Sequence, residues 1–264
     1  MTEIQEQPQD ASAKASGPGA IGPKVLVICQ VGMTGKTTVA ANLLLPRLGG
    51  RLFSVDSVNQ DAATQYGAEV EAIYTGELFE MRQEIERTAS PVVVDLGASD
   101  FSVFIDVMAA NNMARMFDYC VIVTDTSRRA QEEAISTYNT LRKVGMPAAC
   151  FRVVLNKAKQ SRPIPNQYPV LFAYKRHHPE FPLNENCYLP EIQVFRALQE
   201  AGMSYKEALA DKTDYHALVH KADLAGDLNG ATDYANKKIA QDLAFHARAY
   251  FDSAFKELAI QPTR

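Results

Sequence analysis

The sequence predicts a three-layer α/β fold around a mostly parallel central sheet, with helices at the C-terminal end. Three observations predict it. Short apolar runs alternate with stretches of helical length and amphipathic pattern. A glycine-containing loop ending in Gly35-Lys36-Thr37 sits between the first apolar run and the first helical stretch. The end of the chain carries an apolar stripe stepping by three and four. Strands alternating with helices imply right-handed parallel crossovers, with ligands beyond the carboxyl ends of the strands.

The elements follow in order. Residues 1 to 23 are rich in Gln, Pro, Ser, Ala and Gly without apolar period, and read as a flexible tail. Order begins at Lys24, and Val25–Cys29 is a continuous apolar run of the kind buried on both sheet faces. Similar runs recur at Arg51–Val55, Pro91–Asp95, Tyr119–Val123 and Phe151–Asn156. Between them, helices are expected over Lys36–Leu45, Gly76–Arg87, Phe101–Met113 and Arg128–Val144, the first ending at Pro46 because proline lacks the helical donor. Residues 159 to 190 carry six prolines among aromatics and read as an irregular excursion around one further strand, Val170–Phe172. Ala235, Ile239, Leu243, Ala247, Tyr250, Ala254 and Leu258, widened by Phe251 and Phe255, form the stripe of a last helix. This partitions the chain into a tail (1–23), a main α/β domain (24–210) and a helical extension (211–264) packed on the domain or on a partner chain.

Composition narrows the function classes. The chain has 264 residues, 47% hydrophobic and 22% charged, which is globular usage with enough length for a substantial core. A formal net charge of −4 gives no global field that would recruit nucleic acid or anionic lipid. No apolar run approaches the ~18 residues of a membrane span, so no membrane insertion is expected. Met1–Gln7 has neither a basic nor an apolar leader region. Cys29, Cys120, Cys150 and Cys187 lack paired spacing and read as buried reduced thiols of a cytoplasmic protein.

The chemistry-bearing residues cluster at the expected strand ends. In Gln30-Val-Gly32-Met33-Thr34-Gly35-Lys36-Thr37-Thr38, glycines let backbone N–H groups curl around anionic oxygens at a helix start. Lys36 is placed to reach β- and γ-phosphates, and Thr37 to bind Mg²⁺. Gln30 stands where the full template has its first glycine. Asp95 closes a buried strand, where an unpaired carboxylate is costly, and beside such a loop it would hold Mg²⁺. Gly97, two residues on, is placed to offer its N–H toward a γ-phosphate. His216 and His220, four apart, lack a third ligand, and His177, His178 and Cys187 fit no zinc spacing, so no metal site is expected there.

The loop Gln30–Thr38 resembles the QKGGVGKTT loop of ParA/MinD-type ATPases, the deviant Walker group with a P-loop NTPase fold. Leu52-Phe-Ser-Val-Asp56-Ser-Val-Asn-Gln60 resembles that family's second-strand DxDPQ segment. Val153-Val-Leu-Asn156-Lys157 resembles the late strand whose asparagine reads adenine, and Tyr188-Leu-Pro190 opens a segment like the family's proline-bearing turn against the base. Within the group, Lys36–Ala40 with Leu45–Arg47, Phe53–Ala63 and Val94–Ser99 look like the StbB-type branch of plasmid stabilisation and conjugation systems. The resemblance spans roughly residues 24 to 210. It implies ATP or ADP with Mg²⁺, a cytoplasmic homodimer, and a DNA-binding adaptor protein or nonspecific DNA as partners.

Carried over residue by residue, it makes Lys36 and Asp56 catalytic, with Asp56 orienting the attacking water or a Mg²⁺-bound water. Gly32, Met33, Thr34, Gly35, Lys36, Thr37, Thr38, Asn156 and Pro190 would bind nucleotide, and Thr37 and Asp95 the metal. A turn acid capping a helix near Gln60 or Asp61 stays open for Asp56. Three positions depart from the family. Val31 stands where a signature lysine contacts phosphate across the dimer, Met33 replaces the second glycine, and Val58 replaces an acid linked to hydrolysis. Losing a cationic transition-state contact slows hydrolysis by powers of ten while sparing binding. The expectation is a slow or partner-stimulated ATPase; a hydrolysis-impaired scaffold and an ATP-using ligase resembling dethiobiotin synthetase are the alternatives. Arg128, Arg129, Lys157, Lys159, Arg162, Lys175 and Arg176 read either as solvated charges or as a DNA contact.

Overall fold

The computed structural model describes residues 21–56 and 70–261. The tail expected over 1–23 lies almost wholly outside the described residues, as do Val58, Asn59, Gln60 and Asp61.

Seven strands form one parallel sheet: β1 (Lys24–Ile28), β2 (Arg51–Val55), β3 (Val70–Ile73), β4 (Val92–Leu96), β5 (Tyr119–Thr124), β6 (Phe151–Ala158) and β7 (Tyr188–Pro190). Their order is β3-β2-β4-β1-β5-β6-β7, with every pairing parallel. β1 lies at the centre, and the loop that follows it is flanked by β4 and β5. Side chains alternate between two apolar layers: Leu26 and Ile28 join one, Val25 and Val27 the other. That two-sided burial is why the strands read as unbroken apolar runs. The two strands without such a run are at the edges: β3 is half exposed, and β7 is three residues long and ends in a proline.

The helix after β1, α1, is α-helical at Lys36–Thr38, π-helical at Val39–Leu44 and α-helical again at Leu45–Leu48. It therefore continues through Pro46 rather than stopping there. The donor that proline lacks is replaced from outside the backbone: the Arg47 guanidinium folds back and donates to the carbonyls of Asn42 (3.1 Å) and Leu43 (3.0 Å). On the layer opposite α1 lie α2 (Leu78–Arg87), α3 (Phe101–Ala110) and α4 (Arg128–Lys143).

Residues 159 to 190 differ from expectation. Val170–Phe172 is not a strand, and the stretch holds two helices, α5 (Ile164–Gln167) and α6 (Pro169–His177). Pro165 and Pro169 lie in their first turns, where a missing N–H costs nothing, so these prolines start helices rather than break them. Tyr168, Leu171 and Phe181 then enter the core, and Phe181 packs edge-on against Tyr138.

The chain ends in α7 (Val194–Ala201), α8 (Tyr205–Ala210), α9 (Tyr215–Leu224) and α10 (Leu228–Leu258). The buried stripe of α10 is Ala240, Ala244, Ala247, Phe251, Ala254 and Leu258; Ile239, expected within it, is 51% exposed. Alanines form most of the contact face because they let this long helix approach the layer of α1 and α7 closely. Arg47 fastens the contact: its Nη2 lies 2.7 Å from Asp252 Oδ1, and its guanidinium stands over the Phe251 ring.

Arg47→Ala is expected to lower stability by about 1–3 kcal/mol, since it strands two buried carbonyls and unpins α10. Urea denaturation checks this, with Arg128→Ala, an exposed arginine, as the near-neutral control. Equal losses for the two variants would contradict it.

Candidate functional site

The loop between β1 and α1 is held from outside itself. Lys36 Nζ donates to the Val31 carbonyl (2.9 Å), Asn156 Nδ2 to Thr34 (2.7 Å) and Lys157 Nζ to Met33 (2.6 Å). Three loop carbonyls thus carry donors, which removes acceptors that would repel an anion. The turn needs positive φ at Met33 (60°) and Gly35 (93°). At Gly35 the glycine has a second reason: a Cβ there would collide with the Asn156 amide. Gly32 faces open space and is exposed, as is Met33, while the Thr34 side chain is fully buried.

Beneath the loop, charges are enclosed. Lys36 is buried, and desolvation pulls its ammonium below the usual lysine range, opposed by the nearby Cys29, Asp95 and Asp56. Asp95, on β4, is 4% exposed, and burial pushes its carboxyl up to about 6 against the opposing Thr37 hydrogen bond and Lys36 charge. Its Oδ1 has no hydrogen-bond partner. Asp56, just past β2, presses its carboxyl against Gly97 and accepts from Ser99 Oγ (3.3 Å). The structure therefore gathers Lys36, Thr37, Asp56 and Asp95 at the carboxyl ends of β1, β2 and β4; Thr38 sits half-buried in the first turn of α1.

One expectation is corrected. The Gly97 N–H donates to the Val55 carbonyl (2.7 Å), so it is spent on the sheet and not offered to a phosphate. Asn156 is buried with its amide committed to Thr34, which makes it a brace of the loop in this structure. Pro190 pairs opposite Ala158, on the side of β6 away from β1. Lys157, not singled out as a site residue from sequence, reaches the loop because it is itself left-handed one residue before the end of β6: its φ is 58°. A backbone excursion of that kind leaves no mark in a Val-Leu-Asn-Lys string.

The donor set fits Mg²⁺. A carboxylate oxygen without a partner and a threonine hydroxyl are hard oxygen ligands, and Mg²⁺ keeps waters and substrate phosphates for its other positions. Among the described residues no cluster of three or more His, Cys, Asp or Glu could hold a metal alone. His178 instead stacks on Tyr174, and the buried Cys187 thiol faces the Ala254 carbonyl. All four cysteines are free; Cys150 is only half-buried, unlike the other three.

No protein-family model and no curated protein matches the sequence. Solved structures similar to it include ParA- and MinD-type ATPases. A ParA family ATPase from Chlorobium tepidum is 16% identical, with a TM-score of 0.45 over 68% of this chain and 87% of that one. The MinD cell division protein of Aquifex aeolicus is 13% identical, with a TM-score of 0.47 over 86% of this chain and 97% of its own. A plasmid partition protein of Borrelia burgdorferi, bound to AMPPNP, is 13% identical with a TM-score of 0.47, over 83% and 98%.

Two predictions follow from the geometry. Gly35→Ala is expected to displace Asn156 from the loop and lower stability by ~1–3 kcal/mol, read by urea denaturation; an unchanged midpoint would count against the brace. Asp95 sets a pH dependence. Its folded pKa of about 6 lies above the ordinary 3.8, so the native state keeps a proton that the unfolded chain releases between those values. Stability from this group therefore falls as pH rises through that window, by up to ~3 kcal/mol. Asp95→Asn removes that part of the slope in metal-free buffer, and parallel slopes for the two proteins would refute the assignment.

Proposed function

We propose that this chain binds a nucleoside triphosphate, ATP or on turnover ADP, with Mg²⁺ on the Gln30–Thr38 loop, as a slow or partner-stimulated ATPase. One observation carries the reading: a buried carboxylate with an unpartnered oxygen, bonded to Thr37, lies beneath a glycine loop whose carbonyls are tied back. A buried acid in that state has no packing rationale, and a cation-bearing polyphosphate would complete it.

In this reading Lys36 exchanges the Val31 carbonyl for phosphate oxygens, with little reorganisation because it is already enclosed over the loop. Thr37 and Asp95 would hold Mg²⁺, which when bound would supply charge neutralisation to the phosphates. Asp56, close enough for its charge to act on both Lys36 and Asp95, positions the attacking water. Gly32 and Met33 line the open side of the loop, Thr38 extends the helix start, and Asn156 keeps the loop in register. Base contacts at Pro190, a homodimer, and an adaptor protein or DNA partner are further parts of the proposal, as is a role in plasmid partition, stability or conjugative DNA positioning. The support for that biological role is the sequence resemblance.

A hydrolysis-impaired scaffold is the second reading, favoured by Val31. That residue gives the loop only its carbonyl, which Lys36 occupies, and no charge. Titrating labelled ATP and ADP with Mg²⁺, and measuring turnover with and without DNA, separates the two. Lys36→Ala is expected to weaken Mg·ATP binding about 10- to 100-fold. Asp95→Ala is expected to abolish the Mg²⁺ dependence while sparing metal-free affinity. Equal binding by Lys36→Ala and the parent would overturn the proposal, and high basal turnover without partners would overturn its slow-ATPase part.

A further inference from the structure

A second polar hollow lies on the layer opposite α1. It is a cleft of about 400 Å³ between the start of α4 and the segment from β6 through α6, and none of its lining residues belongs to the phosphate loop. Three cations line it, Arg128, Lys159 and Arg162, and no acid does. That is unusual on a chain whose formal net charge is −4. Arg128 also pairs with Glu132 (2.7 Å), whereas among the described residues the side chains of Lys159 and Arg162 make no ion pair.

The walls are built rather than loose. Gln131 and Gln167 are buried, and their amides stitch the cleft together. Gln131 Nε2 donates to the Thr126 and Gln167 carbonyls, and its Oε1 accepts from Val170 N. Gln167 Nε2 donates to the Lys159 and Arg162 carbonyls, and its Oε1 accepts from Lys159 N. The backbones that carry Lys159 and Arg162 are thereby fixed to α4, so these cations are presented from a rigid frame at small entropic cost. A buried two-glutamine lattice that satisfies its own polar groups leaves the outward charges free for a ligand.

We propose that this cleft is a binding site for a small phosphorylated molecule, separate from the phosphate-loop site. The Arg162 guanidinium and the Lys159 ammonium, lining one hollow whose walls hold no carboxylate, suit a phosphate dianion, which accepts several charge-assisted bonds at once. The volume is that of a small-molecule pocket. Cations converging on one hollow favour a compact ligand over an extended nucleic-acid backbone, which is contacted along a row of phosphates.

The test is titration of the full chain with inorganic phosphate at constant ionic strength, following the amide resonances of Thr126, Gln131 and Arg162. The expected result is a saturable shift there. It weakens about ten-fold or more when Lys159→Ala and Arg162→Ala are combined, and it persists in Lys36→Ala, which disables the phosphate loop instead. Because both cleft residues are exposed, the double variant is expected to keep the parent's urea midpoint. Absence of saturation, equal affinity in the double variant, or the same shifts with chloride alone would overturn the proposal. So would a short duplex DNA that binds through these residues while phosphate does not, since that would make the cleft part of a nucleic-acid surface.

Discussion

The arrangement depends on the grip of β6 on the loop after β1. Asn156 and Lys157 hold Thr34 and Met33 across more than a hundred residues of sequence, so the shape of the loop depends on β5 pairing with β1 and β6 with β5. The grip is itself supported from the helical layer below: Tyr168 OH donates to the Asn156 carbonyl (2.5 Å), and Tyr168 is fully buried. A residue in the proline-rich segment thereby helps to set a loop at the sheet centre, which gives that segment a structural task.

The site is assembled at a cost in stability. Lys36 and Asp95 are both nearly removed from water, and Asp95 retains an oxygen with no partner. Desolvated charge with incomplete pairing is destabilising, and what offsets it is the pair of apolar layers on either side of the sheet. Charge and unmet acceptor are concentrated where a polyphosphate and cation would satisfy them.

The C-terminal helix is tied to this framework. Arg47 joins α1 to Asp252, Asn184 Nδ2 donates to Glu257, and Arg152 Nε donates to the Leu258 carbonyl. These contacts run from α1, from the segment before β7 and from β6 to the last two turns of α10. At its other end the same helix meets α9, where Tyr234 packs near Tyr215.

The sequence by itself determined the five central strands, because burial on both faces demands continuous apolar runs, and the glycine-containing turn before α1, because Gly35 and the residues after it are local requirements of one short turn. It also placed Asp95 at a buried strand end. Edge strands β3 and β7 left little trace, since a half-exposed or three-residue strand needs no apolar run. Prolines at 165 and 169 could be read as breakers or as helix starts until the packing of Tyr168 and Leu171 chose the second. Only tertiary structure decided that Arg47 would carry α1 past Pro46, that the Gly97 N–H would be spent on Val55, and that Asn156 and Lys157 would brace the loop. Each of these joins groups distant in sequence or depends on a backbone dihedral, and neither is encoded in the local pattern of residue types.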